Sequence, residues 1–220
     1  MNAQPYTIYA AVSGEGFDST ELPLEEAELA LQQVDDVVWV HIIAHDRVQT
    51  AKMLVERFNL RPREVDMALD PDQIAEVHDH VDALFVEIPV IQSINDEDEF
   101  SELSLFLGKR FLVSVSSIPL PVVRKRFEIW AKGEASFRES AAAALHGLID
   151  AVVDSYFPIS DAIQEQIETL EDRLFAGETL DVRDALRLKQ RLLGFRRRVA
   201  PLRDASRPSG AGCGGLLKRA

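Results

Sequence analysis

Two histidine pairs carry the side chains best suited to hold a transition metal: His41 with His45 in WVHIIAHD, and His78 with His80 in EVHDHVD. Neutral imidazole is a common ligand for such ions. Partners two apart share a face only in an extended strand, and partners four apart only in a helix. His78 and His80 precede a strand-like run, so they can project together, but the sequence places no third ligand beside them. A second cluster is acidic. Glu64, Asp66, Asp70 and Asp72 in RPREVDMALDPDQ offer the oxygen ligands that a hard divalent cation prefers. Their spacing is not that of a calcium loop, whose obligatory glycine is missing. Against both readings stands a plain one, scattered surface histidines and an acidic loop on an acidic protein. The sequence holds no phosphate-cradling glycine loop, no GxSxG elbow and no Cys–His pairing, so it does not read as an enzyme.

The balance of 37 acids against 24 bases gives a formal net charge of -13, which repels phosphates and argues against nucleic acid as a partner. It suits cations or basic partners. A single cysteine, Cys213, allows no internal disulfide and no multi-cysteine zinc site, so a reducing compartment is expected. The N-terminus MNAQPYTIYAAVSGEGFD lacks a basic region followed by a long apolar one. No window approaches the roughly 18 apolar residues that span a bilayer, and the chain as given is expected to be soluble.

The elements that must position these side chains alternate over the first two thirds. Short runs rich in β-branched and aromatic residues predict strands at Tyr6–Val12, Val37–Ile43, Leu84–Ile91, Glu102–Leu107 and Phe111–Ser116. A tight turn at Gly108-Lys109 joins the last two. Helices are expected at Leu24–Val34, Val48–Phe58, a short one after Pro62, and Val122–Trp130. The fold class is therefore α+β, with a mixed sheet covered by helices.

From Ala142 to Asp204 the pattern becomes helical. Leu145, Ile149, Val152, Tyr156, Ile159, Ile163, Ile167, Leu170 and Leu174 recur at steps of three and four, which draws one apolar stripe along a helix ending near Phe175. Pro158 inside it should bend it. Gly177 breaks the pattern and Asp181 is placed to cap a second helix with its seam at Leu188, Leu192, Phe195, Val199 and Leu202. The short connection makes the two an antiparallel pair. Acids on the first (Asp150, Asp154, Asp161, Glu165, Glu168) and bases on the second (Arg183, Arg187, Arg191, Arg196, Arg198) are expected to pair across the seam. The division is a domain over 1–133, a helical hairpin over 134–205 with the linker near Gly133, and a disordered glycine-rich tail over 206–220.

Several stretches together resemble the cytoplasmic part of CorA-type magnesium transporters. They are VWVHI from Val38, ERFNLRP from Glu56, SLFLGKRFLVSV from Ser104, LIDAVVDSYFPISDAIQEQIETLEDRLF from Leu148, and LKQRLLGFRRRVAPLRD from Leu188. The resemblance implies an α/β/α sandwich followed by a long antiparallel helical pair, ahead of a stalk and two transmembrane helices that this chain does not contain. It implies a homopentamer at the cytoplasmic face of the cell membrane, touching the membrane only through those missing helices. It implies Mg2+ as the transported or regulatory ion, with Co2+, Zn2+ or Ni2+ left open, sensed at acidic sites between subunits. The family's pore signature, Gly-Met-Asn, is absent here. Where the family has a Glu-Asp pair with a regulatory second acid, this chain has Asp66 and Met67. Methionine is no magnesium ligand, so the resemblance assigns the regulatory metal to Asp66 or Asp70, or leaves it lost. The usual Arg-Pro-Lys-Val-Glu stretch is Ile74, Ala75, Glu76, Val77 and His78. The function implied is divalent-cation sensing for a magnesium or cobalt transporter. The alternatives are a zinc- or nickel-carrying relative, or a free-standing binding module with the same fold.

Overall fold

The computed structural model describes residues 4–12, 25–26, 29, 37–70, 75–80, 83–94, 97–132 and 140–205. The expected helix Leu24–Val34 falls almost wholly outside these residues, as do the linker near Gly133 and the tail over 206–220. The described chain builds β1 (Tyr6–Val12), β2 (Val38–Ala44), α1 (Arg47–Phe58), α2 (Pro62–Ala68), β3 (Glu76–Asp79), β4 (Leu84–Ile94), β5 (Glu97–Leu107) and β6 (Phe111–Ser116). It continues with α3 (Pro121–Ala131), α4 (Ala141–Asp154), α5 (Tyr156–Phe175) and α6 (Val182–Ala205).

The strands form one mixed sheet in the order β1-β2-β6-β5-β4-β3, parallel only between β2 and β6. Because side chains alternate along a strand, each strand feeds two cores. Val40, Ile42, Phe85, Phe106, Val113 and Val115 face α1 and α2, with Met53, Leu54 and Val65 completing that layer. Trp39, Ile88, Leu103, Leu105 and Leu112 face the other way, onto Phe127 and Trp130 of α3 and Leu145, Leu148 and Val152 of α4. The result is the expected α+β fold, a sheet between two helical layers.

Local chemistry fixes the helix ends. Asp46 accepts from the Gln49 N–H at 2.9 Å and Ser140 from the Ala143 N–H at 3.0 Å, both as N-caps. Gly177, at φ 78, ends α5 in the left-handed conformation, while the Gly177 and Glu178 amides bond back to Leu174 and Arg173. Asp181 caps α6 as expected, accepting from the Arg183 N–H at 2.9 Å.

Three expectations change. The stretch Ala142–Phe175 is two helices that part at Ser155, three residues before Pro158. Proline lacks the N–H that would bond to Asp154 and its ring crowds that carbonyl, so the interruption falls a turn upstream. The hairpin between β5 and β6 turns at Lys109-Arg110, not at Gly108-Lys109, because the Gly108 N–H bonds to Phe111 O at 2.9 Å and extends the ladder. Strand β3 was not foreseen at all, and β5 begins five residues before the expected Glu102.

Gly108 is there for space. A Cβ on it would sit 2.1 Å from the Phe111 ring. Gly108→Ala is expected to cost about 1–3 kcal/mol by forcing that half-buried ring aside, measured as a lower urea midpoint at unchanged slope.

The helical pair differs from its expected charge pairing. Tyr156 at the start of α5 meets Phe195 late in α6 at 6.2 Å between ring centres, which confirms the antiparallel sense. Yet the inward arginines of α6 reach the sheet. Arg191 forms a bidentate pair with Asp98 at 2.8 and 2.9 Å, and Arg198 pairs with Glu102. Gly194 lies between them over the Phe100 ring, 3.5 Å from a virtual Cβ. Residues 98, 100 and 102 form one face of a strand, and 191, 194 and 198 one face of a helix, so α6 is laid along β5 by two ion pairs and a close contact.

Candidate metal centre

Helix α2 begins with Pro62 at its first turn, a position where proline costs no hydrogen bond. Two turns long, it buries Glu64 and Val65 and leaves Asp66 exposed. Val65 docks in the core beneath, and the same rotation turns Glu64, only 4 % exposed, toward the edge of the sheet. That edge is β3, which pairs antiparallel with β4 through Glu76↔Glu87, Val77↔Val86, His78↔Phe85 and Asp79↔Leu84. Period-two alternation puts Glu76 and His78 on the side of Phe85, the layer that α2 covers. Strand and helix thus bring three ligand-bearing residues together. One ligand atom each from Glu64, His78 and His80 lies within 4.8 Å of the others.

The contacts within this group are specific. Glu64 Oε1 is 2.8 Å from His80 Nε2 and 3.7 Å from His78 Nδ1. His78 Nε2 lies 2.9 Å from Glu76 Oε2, so its ring proton belongs there and Nδ1 keeps a lone pair toward Glu64. Arg61 Nη1 donates to His80 Nδ1 at 3.2 Å, which places the other ring proton on Nε2, facing Glu64. Glu64 Oε2 is buried and has no hydrogen-bond partner among the described residues. Burial alone would raise the Glu64 pKa, but the hydrogen bonds from His80 and its own backbone outweigh it and hold the carboxyl below its ordinary value.

The expected residues are distributed unevenly. His78 and His80 do come together, and the third ligand-bearing side chain beside them, which the sequence did not place, is Glu64, fourteen residues before His78 in the chain. Asp66 sits on the exposed side of α2, its backbone carbonyl taking a hydrogen bond from Arg47 at 3.4 Å. Asp70 is half-buried past the end of that helix, close enough to Glu87 to raise its pKa. Neither belongs to a group of three or more metal-ligating side chains among the described residues. Asp72 lies outside those residues.

His41 and His45 do not meet, each engaging a different partner. His45 is exposed and bonds Thr7 at 3.0 Å, whereas His41 is buried, stacked on Tyr9 and 3.0 Å from Ser114 Oγ. Burial pushes the His41 pKa down to about 4. A base depressed in the folded state lends stability above its unfolded pKa of 6.5 that is lost as pH falls toward 4. Unfolding free energy is therefore expected to drop by about 3 kcal/mol over that interval from this side chain, and His41→Gln should flatten that part of the pH profile in urea titrations.

Around this edge the sheet is acidic. Glu87, buried at the centre of β4, is raised to about 8 by its burial and by Glu102, Glu76 and Asp70. The comparison with known sequences then decides the family. Residues 34–207 match the family model described as CorA-like Mg2+ transporter protein.

The chain belongs to this family.

Its members are ion transporters rather than enzymes. The CorA-like chain is 25 % identical over 189 residues to the cobalt/magnesium transport protein CorA of Thermotoga maritima, covering 81 % of this chain and 52 % of that one. It spans about half the length of the curated relatives it matches. Among solved structures it resembles full-length CmaX, at 20 % identity and a TM-score of 0.74 over 90 % of this chain and 61 % of that one. It also resembles the soluble domain of CorA from Methanocaldococcus jannaschii, at 15 % identity and a TM-score of 0.63, covering 88 % and 72 %. These likenesses share the fold. No helix among the described residues is long and apolar enough to cross a membrane.

Proposed function

We infer that this CorA-like chain is the cytoplasmic, cation-sensing part of a magnesium or cobalt transporter whose pore lies in sequence beyond Ala220. The family match over residues 34–207 carries this reading. Its support in chemistry is the concentration of carboxylates around α2 and β3–β5, where Glu102, Glu76 and Asp70 add to burial in raising the pKa of Glu87. A divalent cation entering that field would relieve the repulsion, with oxygen ligands of the kind Mg2+ prefers. Asp66 and Asp70 are the residues proposed to hold it. Removing the ion would restore like-charge repulsion and favour a looser arrangement, the elementary step of a sensor.

The proposed assembly is a ring of identical subunits at the cytoplasmic face of the membrane, five by family resemblance. Exposed apolar side chains on the helical pair, Phe157, Phe175, Val182, Leu186 and Leu193, fit a surface that another copy covers. Reading the gene past the codon for Ala220 tests the transporter part of the proposal. Two apolar segments of about 20 residues in frame are expected, and a reading frame that encodes none would refute it.

A further inference from the structure

We propose that Glu64, His78 and His80 form a binding site for a borderline first-row divalent cation, of which Zn2+ is the type, with Glu76 as a positioning residue. The inference goes beyond the magnesium reading and does not depend on it. Two nitrogens and one carboxylate are the donor set of a tetrahedral zinc site that keeps its fourth position open, whereas Mg2+ takes oxygen ligands in an octahedron. Geometry agrees with the chemistry. Bonds of about 2.0–2.2 Å at tetrahedral angles separate ligand atoms by roughly 3.3–3.6 Å, and His78 Nδ1 stands 3.7 Å from Glu64 Oε1. That distance is too long for a hydrogen bond, and both atoms present lone pairs across it.

The surroundings support a ligand role. A histidine ligand commonly donates its other ring N–H to a carboxylate, which fixes the tautomer and raises the basicity of the coordinating nitrogen. Glu76, 2.9 Å from His78 Nε2, is placed to accept that proton. Glu64 is buried with Oε2 unpartnered among the described residues, an expensive state for a carboxylate unless something nearby is positive. The hydrogen bond from His80 Nε2 to Glu64, at 2.8 Å, occupies the place the cation would take. Metal binding replaces that proton, shifts the ring proton of His80 to Nδ1, and requires Arg61 to swing away. Arg61 is exposed, so water can solvate it once it has moved.

The test is calorimetric titration of the full chain with ZnCl2 alone, comparing the wild type with His78→Ala, His80→Ala, Glu64→Gln and Glu76→Gln. His146→Ala is the control, since His146 pairs with Asp150 on an exposed helix face elsewhere. Expected is one equivalent of Zn2+ whose affinity falls more than about 100-fold on loss of a ligand and about 10–100-fold in Glu76→Gln, is unchanged in His146→Ala, and is not displaced by millimolar Mg2+. NMR of the wild-type imidazoles gives a readout that needs no variant to fold: the His78 and His80 signals should shift with Zn2+ and that of His45 should not. Equal binding by the wild type and His78→Ala, no binding by either, or displacement by Mg2+ would each overturn the site. A chain whose melting responds to Mg2+ while these imidazoles ignore Zn2+ sinks this proposal and leaves the magnesium reading standing. The opposite pair of results sinks only that reading.

Discussion

Glu87→Gln should make the protein more stable above neutral pH, by about 4–5 kcal/mol at pH 8.5, and change little at pH 5. Glu87 is 1 % exposed, accepts from Ser104 Oγ at 3.4 Å, and has its second oxygen unpartnered among the described residues. Burial, reinforced by Glu102, Glu76 and Asp70, raises its pKa from 4.5 to about 8. An acid raised in the folded state lends stability that is fully present below the unfolded pKa and is lost as pH rises through the folded one. The loss therefore runs from about pH 4.5 to 8, and a rise of that size corresponds to roughly 5 kcal/mol at its limit. Glutamine keeps the shape and the acceptor without the proton equilibrium. Urea unfolding at pH 5, 7 and 8.5 measures the difference, and an offset between the two proteins that does not vary with pH would contradict the assignment.

Arg191→Ala is expected to cost about 3–5 kcal/mol, because it strands a buried carboxylate. Asp98 is 3 % exposed in its side chain and Arg191 is 11 % exposed, and their bidentate contact lies between α6 and β5. Removing one partner leaves the other charged and dry. Replacing both with apolar groups of similar volume, as in Arg191→Met with Asp98→Leu, should recover most of the loss, since the pair itself adds little over good packing. Hydrogen exchange should report the single variant as faster opening of the C-terminal half of α6, with β2 and β6 unaffected. The exposed pair Arg183–Asp181, at 2.7 Å, serves as the contrast: Arg183→Ala should change the unfolding midpoint by little, as exposed pairs usually do.

Strands at the edge of the sheet and in its middle could be read from the chain where burial selects a run rich in β-branched and aromatic residues. Phe111–Ser116 and Tyr6–Val12 have the same bounds in the sequence reading and in the structure. Glu76–Asp79 could not be read, since EVHD holds one apolar residue and becomes a strand only by pairing along β4. The partners of α6 were equally hidden. Charge balance between neighbouring helices suggested α5, but Arg191 and Arg198 find Asp98 and Glu102, 93 and 96 residues earlier, and nothing local encodes so distant a contact. The candidate centre was half legible. The His-x-His spacing was visible though the strand that carries it was not, while Glu64 looked like one acid among several until α2, seated by Val65, turned it inward.

Cation sensing is the central claim, and it is tested most directly by thermal unfolding of chelator-washed protein with and without Mg2+. At free Mg2+ ten times its dissociation constant, linkage gives about 1.4 kcal/mol, or roughly 3–6 °C for a chain of this size. The account predicts that rise in the wild type and its loss when Asp66→Asn and Asp70→Asn are combined. An identical melting temperature at zero and at ten millimolar Mg2+ would contradict it.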